Sequence, residues 1–183
     1  MRIVVLGGAG KMGCIAVQDL SGDRRVDEVV IADRDLAQAR TVAEIINSPE
    51  VSIQQVDVTD HDALVGTLEG ADACLNATVY YFNLQVMDAC LEAGVPYTDL
   101  GGLFHTTRKQ LELSDRFAEA GLSAVLGMGS APGVPTSRPA TPPTGWILSN
   151  TSASTMASSR PRRTTPLHHM YVAASSPTLS PPS

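Results

Sequence analysis

A chain of 183 residues carrying a net charge of −6 has the length of one domain, or of a domain and a tail. Its charge is unevenly spread: all 19 acidic residues lie at or before Glu119, whereas residues 136–183 hold 4 arginines, no acid and 18 Ser or Thr, and 10 of the 12 prolines lie at or after Pro132. The acidic part has no Lys/Arg cluster to neutralise phosphates, which argues against a nucleic-acid partner, and no apolar run nears the roughly 18 residues of a membrane span. The N-terminus lacks a signal-peptide layout, and Cys14, Cys74 and Cys90 are odd in number with no C-x-x-C pair, as expected for reduced core thiols in a cytoplasmic protein.

In chain order, residues 3–6 are a continuous apolar run, the mark of a strand covered on both faces of a parallel sheet. Glycines and a helix to about Leu20 follow, then a strand at 26–32. A helix at 36–46 has apolar residues at Leu36, Ala39, Val42, Ala43 and Ile46. A shorter strand at 51–56 leads into Asp60-His61-Asp62, which supplies an N-cap and first-turn acids for a helix to Leu68. Strand four is expected at 71–77, a helix at 84–93 closed by Gly94, strand five at 95–100, a helix at 106–120 and strand six at 123–128. Strands separated by helices of this length imply right-handed βαβ crossovers, and so an α/β fold with a doubly wound parallel sheet of Rossmann type, in the order 3-2-1-4-5-6. Residues 1–134 form this domain, while 135–183 read as an irregular tail too poor in apolar residues to offset its ordering entropy.

The first turn carries the chemistry. Gly8, Gly10 and Gly13 form G-x-G-x-x-G between a strand and a helix. In this pattern Gly8 makes the tight turn, Gly10 lets a pyrophosphate approach, and Gly13 lets the helix close on the strand. With Ala9, the N–H groups near Lys11 and Met12 and the positive end of the helix dipole then face the phosphates. Asp33, at the end of strand two and twenty residues after Gly13, is placed to accept hydrogen bonds from an adenosine ribose. A carboxylate there repels a 2′-phosphate and favours NAD, with NADP as the alternative if Arg34 takes that phosphate. Asp57 and Val58 lie where an adenine edge would sit, or simply lead into a helix. Asn76, Ala77 and Thr78 end strand four at the switch-point crevice, beside the nicotinamide ribose.

Other features are weaker. His61 reads as a solvated cap rather than a metal ligand, Tyr80-Tyr81-Phe82 as a roof over the crevice or as core or dimer packing, and Asp99 as a helix cap rather than a substrate contact. His168-His169 lie in a segment with no acids.

Together, Val4-Val-Leu-Gly-Gly-Ala-Gly-Lys-Met-Gly13, Ala32-Asp33, Leu75-Asn-Ala-Thr78, Pro96-Tyr-Thr-Asp-Leu-Gly-Gly102 and Gly127-Met-Gly-Ser-Ala-Pro-Gly133 resemble the saccharopine dehydrogenase family, its lysine 6-dehydrogenase-like branch most of all. The resemblance covers residues 1 to about 134. It implies NAD(P)-dependent oxidation at an amine-bearing carbon of a small amino-acid substrate, or reduction of the corresponding imine, with a second domain following the Pro-Gly turn and homo-oligomerisation left open. The chain departs from that pattern after Val134. A back-translation of residues 139–147 read two bases later yields Ser-Tyr-Ala-Ala-Asp-Arg-Leu-Asp, so the expectation is an out-of-frame or foreign tail and a truncated, weakly active enzyme. No catalytic residue is assigned. Two alternatives are a non-catalytic NAD-sensing module and a dihydrodipicolinate-reductase-like enzyme, whose His-His run should be followed by Lys and a Ser-Gly pair that His168-His169 lack.

Overall fold

Apolar β-branched runs with no polar alternation fold stably only when helices cover both faces of their sheet. The computed structural model of the protein describes residues 1–128 and 171–172 and has that architecture. In chain order the elements are β1 (Arg2–Leu6), α1 (Gly13–Ser21), β2 (Glu28–Asp33), α2 (Leu36–Ile46), β3 (Val51–Gln55), α3 (His61–Leu68), β4 (Ala73–Asn76), a 3-10 turn (Tyr80–Phe82), α4 (Asn83–Ala93), β5 (Tyr97–Asp99), α5 (Phe104–Leu111), α6 (Ser114–Glu119), β6 (Ala124–Leu126) and β7 (Tyr171–Val172). All strand pairs are parallel, in the order β3-β2-β1-β4-β5-β6-β7, so the expected 3-2-1-4-5-6 sheet is present.

Alternation along the central strands divides the core in two. Val4, Leu6, Val30 and Ala32 face Leu64, Leu68, Met87, Cys90 and Phe117, whereas Val5, Val29 and Ile31 face Val17, Ala39 and Val42. Each large aliphatic side chain so buried contributes about 1.5–3 kcal/mol, which fixes the register. That register aligns Leu6 with Ala32 on one side and Asn76 on the other, and Asn76 with Asp99. The carboxyl ends of β1, β2, β4 and β5 therefore meet at one level of the sheet.

Local signals set several boundaries. Asp60 caps α3 by accepting from the Ala63 N–H at 3.1 Å, with Asp62 in the first turn, and Asp35 caps α2 through the Gln38 N–H at 2.9 Å. Gly94 ends α4 at φ 71°, the left-handed conformation that glycine adopts without a Cβ penalty.

Two expectations need correction. The helix expected at 106–120 is two helices: i→i−3 bonds from Glu112 to Lys109 and from Leu113 to Gln110 tighten the chain and end α5. A 3-10 turn, Tyr80–Phe82, precedes α4. Within the segment read as an irregular tail, Tyr171–Val172 pairs parallel with β6 as a seventh, two-residue strand. The Gly133-Val134 boundary, His168-His169 and the rest of that tail lie outside the described residues. Among the described residues, no helix is long and apolar enough to cross a membrane.

Candidate dinucleotide site

A parallel strand that must turn sharply into a helix needs a residue with positive φ and a helix start without bulk. Gly7 supplies the first at φ +71°, with its N–H donating to Ala32 O at 2.8 Å. The left-handed residue is thus Gly7, one before the glycine to which the turn was assigned. Gly8 has a different duty, since a Cβ there would lie 2.9 Å from Val5 O and 3.2 Å from Ile31 Cγ2. Gly13 is the tightest position: a Cβ would fall 2.2 Å from Gly7 O and 2.7 Å from Gly8 Cα. This is the close helix–strand approach expected of the third glycine. Gly10 closes the loop through its N–H to Gly7 O at 3.0 Å and lies exposed at the surface, as do Lys11 and Met12.

The loop presents donors. Among the described residues, the backbone N–H groups of Lys11, Met12 and Gly13 have no hydrogen-bond acceptor, and the start of α1 has no side-chain cap. Unpartnered N–H groups and the positive helix end make an anion site, and a pyrophosphate would complete it. The residues present therefore fit a dinucleotide. Asp33 closes the opposite side: its Oδ2 accepts from the Ala9 N–H at 3.1 Å and its Oδ1 from the Asp35 N–H at 3.1 Å. The carboxylate is oriented by the glycine loop yet keeps lone pairs for further donors.

Further along the edge, a Cβ on Gly7 would lie 3.1 Å from Ala77 O and 3.1 Å from Thr78 Cγ2, so the segment after β4 abuts the glycine loop. Asn76 is buried, and its Oδ1 accepts from the Thr78 N–H at 3.1 Å and hydroxyl at 2.6 Å. Arg34 and Asp57 are exposed, and Val58 packs against the core. Asp57 turns onto Thr59, whose N–H and then hydroxyl hold its carboxyl below the ordinary range, with Arg34 adding a smaller attraction.

Asp99 is not a helix cap. It is buried, with Oδ1 accepting from the Gly101 and Gly127 N–H groups at 2.8 and 2.7 Å and Oδ2 from the Tyr97 hydroxyl, Asn83 Nδ2 and Gln110 Nε2 at 2.9, 3.2 and 2.7 Å. Burial, with the Asp99 carboxylate beside it, pushes the Tyr97 hydroxyl well above the usual tyrosine range and keeps it a donor. Asn83, Tyr97 and Gln110, like Gly7, were missed in the sequence; the available signal was polar side chains at positions whose neighbours are core. In the connections after β4, β5 and β6 and at the start of α5, Val79, Tyr81, Leu103, Phe104 and Met128 are exposed apolar side chains. Tyr80 packs on Tyr81 with ring centroids 4.1 Å apart, and Phe82 turns into the core.

His61 is the first residue of α3, not its cap, and pairs through Nε2 with Glu92 Oε2 at 2.8 Å, which raises its pKa. Among the described residues no group of His, Cys, Asp and Glu could hold a metal ion. The three cysteines are free thiols, Cys74 and Cys90 buried.

A doubly wound sheet whose first turn leaves three N–H groups unpartnered, and whose β2 ends in a carboxylate bonded to the same turn, defines a dinucleotide-binding domain of the Rossmann class. Within that class the chain belongs to the saccharopine dehydrogenase NADP binding domain family, an oxidoreductase family, whose model matches residues 3–125. It is 34% identical over 142 residues to carboxyaminopropylagmatine dehydrogenase of Synechocystis sp., covering 73% of this chain and 36% of that protein. It is 26% identical over 154 residues to carboxynorspermidine synthase of Vibrio cholerae, covering 73% of this chain and 37% of that protein. The chain thus spans little more than a third of these relatives. Apo saccharopine dehydrogenase (L-Glu forming) from Saccharomyces cerevisiae superposes with a TM-score of 0.64 at 24% identity over 74% of this chain and 29% of that one, a likeness of fold.

Proposed function

We propose that residues 1–134 bind NAD(P) for an oxidoreductase that acts on the C–N bond of a carboxylated amine. The observation that carries this reading is the row of unpartnered N–H groups at Lys11, Met12 and Gly13, in a loop whose Ala9 N–H also orients the Asp33 carboxylate. Lys11, Met12 and Gly13 hold the pyrophosphate, Asp33 accepts from the adenosine ribose, Asp57 and Val58 border the adenine, and Asn76–Thr78 abut the nicotinamide ribose. When bound, the dinucleotide supplies the hydride carrier; the chain supplies binding and orientation. The substrate class follows from the family and from the names of the two relatives, both of which denote carboxylated amines.

NAD is read as the preferred form. Asp33 is held by two backbone N–H groups and does not readily swing aside, so a 2′-phosphate meets a fixed negative charge, with Arg34 the adjacent cation to offset it. Calorimetric titration of the 183-residue chain with NAD and NADP tests both statements. Binding of neither at millimolar ligand refutes the site, and tighter binding of NADP refutes the preference.

Residues 135–183, which hold no acid, are read as out of frame with this domain, although Tyr171–Val172 pairs with β6. The coding DNA decides that point: a long open frame that continues the family pattern supports it, and none sinks it.

A further inference from the structure

A carboxylate buried without a cationic partner is costly unless hydrogen bonds replace its hydration, and here five donors do so. The donors come from different parts of the fold. Gly101 and Gly127 lie in the loops after β5 and β6, Asn83 is the first residue of α4, Gln110 lies in α5, and Tyr97 is in β5. Backbone contacts add to the convergence, since Met128 N–H donates to Asp99 O at 2.8 Å and a Cβ on Gly101 would lie 3.4 Å from Gly127 Cα.

The cluster also has a direction. Asn83 gives Nδ2 to Asp99 and so turns Oδ1 toward Asn76 Nδ2, at 3.0 Å; Asn76 Nδ2 also reaches the Tyr97 hydroxyl at 3.3 Å. That leaves Asn76 Oδ1 facing the Thr78 N–H and hydroxyl. Each amide therefore has one orientation, set by the carboxylate at one end and by a backbone donor of the crevice at the other. In a doubly wound sheet the half built from β4 to β6 serves the second mononucleotide, here the nicotinamide side.

We infer that Asp99 is a positioning residue: through Asn83 and Asn76 it orients Thr78, and through Gly101 and Gly127 it holds the neighbouring loops, so that this cluster sets the nicotinamide half of the crevice. The inference rests on the dinucleotide reading above. Asp99→Asn keeps the shape but places an NH2 against donors on either side. Facing Gly101 and Gly127 it opposes two N–H groups; facing the amides it forces Asn83 and then Asn76 to turn, which sets Asn76 Nδ2 against the Thr78 N–H.

The test uses the full chain, titrated with NAD and NADP and with ADP and its 2′-phosphate, which lack both the nicotinamide and its ribose. Asp99→Asn is expected to weaken dinucleotide binding about ten-fold or more while ADP binding stays within about two-fold. Tyr97→Phe keeps the ring and removes one bridging hydroxyl, and should show the same selectivity with a loss of about three-fold. If Asp99→Asn does not fold, Tyr97→Phe decides alone. Dinucleotide binding unchanged in the variants, or an equal loss of dinucleotide and ADP, overturns the inference while leaving the site intact. A wild-type chain that binds no dinucleotide overturns the proposed function and this inference with it.

Discussion

Gly13→Ala adds a single methyl where the helix start meets the first loop. That methyl would sit 2.2 Å from Gly7 O, 2.7 Å from Gly8 Cα and 2.9 Å from Gly7 C, all backbone atoms with no flexible end to rotate away. Reaching an ordinary 3.4 Å contact requires a displacement of about 1.2 Å, the difference between 3.4 and 2.2 Å. Overpacking of this kind costs about 1–3 kcal/mol or more, and a domain of this size loses roughly 2–4 °C in Tm per kcal/mol. The same shift moves the Met12 and Gly13 N–H groups off the pyrophosphate, so dinucleotide affinity should fall by about ten-fold or more. Thermal unfolding followed by circular dichroism reads the first effect and calorimetry the second. An alanine variant that keeps wild-type Tm and NAD affinity would refute the close seating of α1 on the glycine loop.

Gly66→Ala is the opposite case: Gly66 lies inside α3 with nothing within 4 Å of its Cβ position, and the substitution should raise stability by about 0.5–1 kcal/mol, a gain that a lower Tm would contradict. Asp33→Ala removes an acceptor for charge-assisted hydrogen bonds and should cut NAD affinity by about ten- to a hundred-fold and NADP affinity less; an unchanged NAD-to-NADP ratio in paired titrations counts against the discriminating role. His61 has its folded pKa raised above 6.5 by Glu92, so the pair's stabilisation is fully present below 6.5 and is lost as pH rises through the folded value. Glu92→Gln should therefore lower Tm near pH 5.5 more than near pH 8.5, and equal losses at both would show that the pair does not stabilise the fold.

Most of the architecture was legible because it rests on local patterns. The runs at Val4–Leu6 and Val29–Ala32 are buried on both faces, which only a covered parallel sheet allows. Asp60 and Gly94 punctuate helices through bonds and dihedrals set within a few residues. The glycine turn and the placing of Asp33 at the end of β2 were legible for a related reason: a strand that turns sharply into a helix constrains residue types at fixed offsets from its end. Gly7 escaped because the three-glycine pattern names the residues around it, while the left-handed turn falls one position earlier. The break between α5 and α6 escaped because one tightened turn leaves the apolar period nearly unchanged.

Asp99 shows where local reading stops. An acid one residue past a strand centre, followed by Leu-Gly-Gly, looks like a loop residue, and its nearest sequence neighbours provide two of its five donors. The other three come from residues 83, 110 and 127, which adjoin it only because β4, β5 and β6 are consecutive neighbours in the sheet. Register supplies the remaining piece: Asn76 and Asp99 are paired partners, so two polar residues occupy the same level, where the apolar interior gives way to the crevice. At that level a hydrophobic pair would fill the space but could not orient Thr78 or hold the Gly101 and Gly127 N–H groups, leaving those backbone donors unsatisfied at a cost of about 1–3 kcal/mol each. The polar cluster is thus the arrangement that lets the loops after β5 and β6 and helices α4 and α5 share one acceptor.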